Sequence, residues 1–370
     1  MSKQGKITAL IVFGTRPEAI KMCPVVKEFR ARSRFNVKVC VSGQHREMLD
    51  QVLALFGVTP DYDLDIMRPE QSLFDITAKT LYGMQEVLAE CKPDIVLVHG
   101  DTTTAFAASV AAFYLQIPVA HVEAGLRTRN LYSPFPEEYN RQAISLVARY
   151  NFSPTQTARE NLLMEGRAPE SIFVTGNTGI DALQTTVRPD FRSELIDWAR
   201  GSRLLVMTAH RRENLGEPMR GMFRAVRRVV ERYGDVKLVY PVHKNPAVRE
   251  AAYDILSGNP RIRLIEPMEP DAFHNLINAA YLILTDSGGI QEEAPALGKP
   301  VLVMRGTTER PEGVDAGTLR LVGTDEQILY YACRQLLDDP AEYQKMSSAR
   351  NPYGDGTASV QIADILERTL

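Results

Sequence analysis

The feature that most narrows the fold is a series of short, unbroken apolar runs set between longer amphipathic stretches. The runs fall at residues 7–13, 37–41, 95–98, 119–122 and 172–175, and again at 204–208, 236–240, 262–265, 282–285 and 301–304. They are rich in Val, Ile and Leu and do not alternate with polar residues, which is what a parallel strand covered on both faces requires. The stretches between them, such as 17–32 and 217–233, are long enough for crossover helices. Alternating β and α elements of this kind predict an α/β fold with parallel sheets. The two series resemble each other, and Gly176, Gly179, Pro189 and Gly201 gather between them. The expectation is two Rossmann-like domains facing across a cleft, and a length of 370 residues agrees with two domains of roughly 100–200 residues each.

Composition excludes several classes of function. A net charge of −3 argues against a general nucleic-acid binder. Cys23, Cys40, Cys91 and Cys333 are far apart and form no CxxC pair, so neither a disulfide framework nor a structural zinc site is expected, and a reducing compartment fits better. The run 7–13 is too short to span a bilayer and lacks a small-residue cleavage site, so it reads as a core strand of a cytoplasmic protein with no membrane partner.

In open parallel sheets, ligands bind outside the carboxyl ends of the strands. The informative residues are therefore those just after each run. The first run ends in Gly14-Thr15-Arg16-Pro17, where Gly14 permits a tight turn and Pro17 suits the first helical turn. Arg16 and Lys21 then either serve an anion at a helix start or form a plain surface pair. The turn is not GxGxxG, which gives a dinucleotide little support. After 95–98 comes His99-Gly100-Asp101-Thr102. Asp101 is either the N-cap of the next helix or an acid–base group opening onto the ligand. Glu123 ends the run 119–122 ahead of Ala124-Gly125. Glu137 and Glu138 open a helix, where acids commonly stabilise the dipole. Asp101, Glu123 and Glu137 nevertheless converge on one sheet edge. Clustered carboxylates drive their proton affinities apart, which supplies both an acid and a base near neutral pH.

In the second series, His210 follows a strand beside Arg211 and Arg212, and His243 and Lys244 follow the next strand. A lone histidine is either a structural hydrogen-bonding residue or a proton-transfer group, and neither cluster has zinc-ligand spacing. Ser287-Gly288-Gly289 lies between a strand and a helix, where two glycines let backbone N–H groups approach a phosphate. Glu293, one turn on, is placed for ribose hydroxyls. Arg310 follows the next strand and can face the same ligand. The alternative is an ordinary Gly-rich turn with surface acids.

The ordered segments FGTRPEAIK, HGDTTT, HVEAGLRT, PEEYNR, TAHRREN, YPVHKNP, TDSGGIQEE and TTERPE resemble the motif series of the bacterial non-hydrolysing UDP-N-acetylglucosamine 2-epimerases. That resemblance implies a GT-B architecture with domains at 1–177 and 178–354, and a closing helix at about 355–370 that crosses back to the first. It also implies a homodimer, a UDP-sugar substrate, no metal or other cofactor, and a role in making surface polysaccharide precursors. The implied reaction converts UDP-N-acetylglucosamine to UDP-N-acetylmannosamine by eliminating UDP to 2-acetamidoglucal and adding it back. Asp101, Glu123, Glu137 and His210 match the catalytic positions. Arg16, Lys21, Ser287, Gly288, Gly289, Glu293 and Arg310 match the UDP site. Phe273 either stacks near uracil or is a core aromatic.

Some relatives bind a second UDP-N-acetylglucosamine as activator, and Gln44, His45, Arg211 and His243 match that site. Glu47 and Glu70 stand where activated relatives carry Gln and a basic residue, so activation is expected to be weak or absent. A sigmoidal rate curve that straightens with trace UDP-N-acetylglucosamine would refute this. Three rivals remain at this level. They are a hydrolysing epimerase that releases N-acetylmannosamine, a GT-B glycosyltransferase, and a silent nucleotide-sugar binding protein.

Overall fold

The computed structural model describes residues 5–43, 46–68 and 70–370. The contacts divide the chain into two units, Met1–Ala182 with Tyr353–Leu370, and Leu183–Pro352. The first carries strands β1 (Ile7–Phe13), β2 (Phe35–Val41), β3 (Tyr62–Asp63), β4 (Ile95–His99), β5 (Val119–Val122), β6 (Ala148–Ser153) and β7 (Ile172–Val174). The second carries β8 (Arg203–Thr208), β9 (Val236–Pro241), β10 (Ile262–Ile265), β11 (Leu282–Thr285), β12 (Val301–Val303) and β13 (Leu319–Leu321). The sheet orders are β3-β2-β1-β4-β5-β6-β7 and β10-β9-β8-β11-β12-β13, with every pairing parallel. Each sheet is doubly wound, and its direction of winding reverses between β1 and β4 and between β8 and β11. Such a switch point opens a crevice at the strand ends.

The unbroken apolar runs have a direct cause. Along β1, Ala9, Ile11 and Phe13 enter a core with Met22, Val26 and Phe29 of the helix Arg16–Ala31. Leu10 and Val12 enter the core on the opposite face, with Val96, Val98 and Ala108. Along β8, Leu205 and Met207 pack with Phe223 and Val226, while Leu204 and Val206 pack with Leu276 and Ile277. Both faces of each strand are dry, so neither tolerates a polar alternation.

Three strands are absent from the sequence-based expectation. β3 has two residues and β13 three, too few for a periodic signal. β6 reads Ala-Arg-Tyr-Asn-Phe-Ser, and the polar alternation hides a strand whose Asn151 and Ser153 are fully buried. The closing helix Ala358–Thr369 sends Ile362, Ala363 and Leu366 into the core around Met22. Arg32 donates to Asp364 at 2.6 Å and to Glu367 at 3.1 Å. The Asp181 carboxylate receives the N–H groups of Ala358 and Ser359 at the start of the same helix. The closing helix is thus part of the first unit.

Candidate functional site

In the first unit, the residues at the ends of β1, β4 and β5 share the switch point. Thr15 and Glu18 form a reciprocal capping box at the start of the helix Arg16–Ala31, which sets half-buried Arg16 in its first turn. Glu18 is buried and also accepts from Gly14 N–H at 3.0 Å and from the Thr102 hydroxyl at 2.7 Å. It joins the turn after β1 to the loop after β4. Burial raises its carboxyl, against the opposing pull of those hydrogen bonds.

The helix Thr103–Tyr114 is capped by Thr102, whose hydroxyl accepts from Ala105 N–H at 3.0 Å. Asp101 is therefore not the cap. Its side chain is 25% exposed and paired with Arg141, and its backbone oxygen accepts from Asn140 at 2.9 Å. Burial is the first cause that raises the Asp101 carboxyl above the usual range. Glu123 and Glu137 add to it, and Arg141 opposes them. The charges of Glu123 and Glu137, the other two acids read from the sequence, thus both bear on Asp101.

Glu123 sits at φ 65°, a conformation that costs an L-residue energy and that clusters at functional sites. Its carboxylate receives Lys21 Nζ and, at 2.9 Å, Asn177 Nδ2. The His99 Nε2 atom lies 3.7 Å away. Burial pushes His99 down to about 4, against the upward pull of Glu123, so it is neutral at neutral pH. Lys21, assigned to the diphosphate on the resemblance, here stands within the carboxylate cluster.

Glu137 and Glu138 open the helix Glu137–Val147 with different surroundings. Glu138 is fully buried and accepts from Thr128 N–H at 3.0 Å, Arg129 N–H at 3.1 Å and Gln142 at 2.8 Å. Burial alone would raise its carboxyl, but these donors and Arg141 hold it below the usual range. Glu138 is a structural anchor. The Glu137 Oε2 atom is buried and has no protein partner.

In the second unit, Asp286 at the end of β11 is fully buried. It receives the N–H groups of His210 and Arg211, each at 2.9 Å, and its other oxygen lies 3.0 Å from His210 Nδ1. Burial would raise this carboxyl, but the His210 ring and the two amides hold it low. With Nδ1 turned to Asp286, Nε2 is the His210 nitrogen left for a ligand. The His243 ring stacks on His210 at 5.7 Å between centroids, and Arg211 Nε donates to the Asp286 carbonyl at 3.2 Å.

The turn Ser287-Gly288-Gly289 follows directly. A Cβ on Gly288 would come no closer than 3.8 Å to Arg310, and one on Gly289 no closer than 3.7 Å to Glu293. Neither glycine has a positive φ. Protein packing thus does not demand glycine at either position, and their bare backbone leaves room for a ligand's close approach. Arg310 is paired with Glu292 beside the turn, Glu293 Oε2 lies 3.6 Å from His274 Nε2, and Phe273 is half-buried against the apolar core. Of the residues read as a second-substrate site, Arg211 and His243 come together around His210. Gln44 and His45 lie outside the described residues, as does the side chain of Glu47. Glu70 is exposed.

Sequence reasoning passed over Arg141, His99, Asn177 and Asp286. His99, Arg141 and Asp286 stood within quoted motifs, but their roles depend on partners distant in sequence. Among the described residues, no group of three or more His, Cys, Asp or Glu is arranged to hold a metal, and no helix is long and apolar enough to cross a membrane.

Two doubly wound parallel sheets with polar clusters at their switch points define a two-domain α/β protein of GT-B type. The fold is shared with the glycotransferase of kitacinnamycin at a TM-score of 0.67, covering 99% of each chain; at 13% identity that likeness speaks for the fold alone. The chain belongs to the UDP-N-acetylglucosamine 2-epimerase family, whose sequence profile matches residues 27–367. It is 57% identical over 361 residues to the UDP-N-acetylglucosamine 2-epimerase of Bacillus subtilis, covering 98% of this chain and 95% of that one. It also resembles the crystal structure of UDP-GlcNAc 2-epimerase from Neisseria meningitidis bound to UDP-GlcNAc. That chain is 48% identical with a TM-score of 0.89, over 98% of this chain and 100% of that one.

Proposed function

We propose that this chain inverts C2 of UDP-N-acetylglucosamine reversibly, by a non-hydrolysing route. The C2 hydrogen has no carbonyl α to it and is weakly acidic. Elimination solves this: C2–H and the anomeric C1–O bond both break, giving 2-acetamidoglucal and UDP. UDP then adds back to C1 while a proton reaches the opposite face of C2. The carrying observation is the set of acids beside one switch point: Asp101 paired with Arg141, Glu123 held by Lys21 and Asn177, and Glu137 with a buried oxygen that has no protein partner. Asp101 and Glu137 are assigned to proton transfer at C2. Glu123, held by Lys21 and Asn177, stabilises the intermediate, and His210 assists the departing phosphate. Arg16, Ser287, Gly288, Gly289, Glu293 and Arg310 hold UDP, and no metal or redox cofactor is required.

The test is incubation with UDP-N-acetylglucosamine in deuterated water, followed by proton NMR. Deuterium at C2 of both nucleotide-linked sugars is the expected result. A free reducing sugar would instead mean that water traps the intermediate. An absence of C2 exchange without an added acceptor would mean a transferase or a silent binder.

A further inference from the structure

Arg141 touches two carboxylates in opposite situations. One terminal nitrogen pairs with Asp101, and the other lies 3.4 Å from Glu138. Glu138 is immobilised by two backbone amides and Gln142. Among the described residues, Arg141 is the only cation within ion-pair reach of Asp101. The other charges near Asp101 are Glu137 from the same helix as Arg141, and Glu123 from the end of β5. Behind Glu123 stand Lys21 from the first helix and neutral His99 from β4. Glu18 lies behind Thr102.

We propose that Arg141, braced by Glu138, is a positioning residue that keeps the Asp101 carboxylate ionised and aimed at the substrate. The proposal rests on the reading of Asp101 as a proton-transfer group and adds a direction from the ion pair: the guanidinium favours the ionised carboxylate, so Asp101 is taken as the base when UDP-N-acetylglucosamine is substrate. Two neighbouring acids and burial favour the protonated form of Asp101, and a base must be ionised. An adjacent guanidinium lowers an aspartate by about 1–3 pK units. Its removal therefore raises the Asp101 pKa and moves the acid limb of the rate profile to higher pH by a like amount.

The experiment is kcat and KM against pH with UDP-N-acetylglucosamine for wild type, Arg141→Met, Arg141→Lys, Glu138→Gln and Asp101→Asn, each with a thermal melt. Arg141→Met is expected to lose roughly 100-fold in kcat near neutrality, within the usual range for a misadjusted acid–base group. Its KM should change little, and activity should recover partly at alkaline pH. Arg141→Lys, which keeps the charge but not the planar fork, should return the limb most of the way. Glu138→Gln loosens the brace on Arg141 but also removes a negative charge near Asp101, so it should lower kcat while moving the limb much less than Arg141→Met. A loss equal at every pH, with the limb unmoved, overturns the proposal. If Arg141→Met does not fold, Arg141→Gln takes its place, and an unmoved limb there overturns the proposal equally. If wild type does not epimerise, or Asp101→Asn turns over normally, the reading of Asp101 fails and this proposal falls with it. If those two behave as expected, the limb judges Arg141 alone.

Discussion

Asp101→Asn and Glu137→Gln are each expected to bind UDP as wild type does and to lose roughly 10²–10⁴-fold in turnover, the usual contribution of a positioned acid or base. Both substitutions keep the side-chain shape and remove the titrating proton. Glu137→Gln is the cleaner of the two. The buried Glu137 Oε2 atom has no protein partner, so the amide breaks no hydrogen bond at that atom and stability should hold. Asp101→Asn trades an ion pair with Arg141 for a neutral contact and leaves that guanidinium partly uncompensated beside Glu138. Its melting point is therefore expected to fall slightly, while UDP affinity should hold because the proposed nucleotide contacts exclude Asp101. Calorimetric titration of UDP, set beside turnover followed by NMR, separates the two effects. Wild-type turnover in either variant would remove that residue from proton transfer.

The largest effect on stability is expected from Gly125→Ala. Gly125 has φ +92°, and a Cβ there would lie 2.2 Å from the carbonyl oxygen of Ala158 and 2.8 Å from its carbonyl carbon. The obstacle is backbone of the helix Gln156–Met164, which also holds the loop through Asn161 Nδ2 donating to the Gly125 carbonyl at 3.0 Å. No rotamer change relieves such a clash. Forced backbone strain and overpacking cost about 1–3 kcal/mol each. Their sum is a large fraction of a total stability of about 5–15 kcal/mol. A fall of roughly 5–15 °C in melting temperature is expected for a unit of this size. Gly57→Ala is the control. It shares a positive φ, +64°, but a Cβ there meets nothing within 4 Å, so only the strain remains. A Gly125→Ala melt no lower than that of Gly57→Ala would show that the loop yields freely. Glu123 lies two residues before Gly125, so a displaced loop should also depress turnover.

Much of the framework was legible from residue order. β1, β5, β10 and β11 lie at the positions of the apolar runs, because strands covered on both faces leave an unbroken signal. The candidate ligand residues were legible for a related reason: strand ends in a parallel sheet are where chemistry collects, and the motifs sat there. β6 was hidden because buried Asn151 and Ser153 imitate a surface alternation. The two adjacent acids that open one helix looked interchangeable. Only their surroundings separate Glu138, which is saturated by amides, from Glu137, which has an oxygen left over.

Residue order by itself therefore determined the α/β class, the two similar halves, and which side chains stand at the strand ends, because burial on each face acts over a few neighbouring residues. Tertiary structure alone decided the partners. Arg141 meets Asp101 across 40 residues, His210 meets Asp286 across 76, and Lys21 meets Glu123 across 102. These pairs form because the winding order sets β4 between β1 and β5 and brings β8 beside β11. Hydrophobic periodicity carries no record of strand order, so the charge environment of each acid emerges only when the sheet has formed.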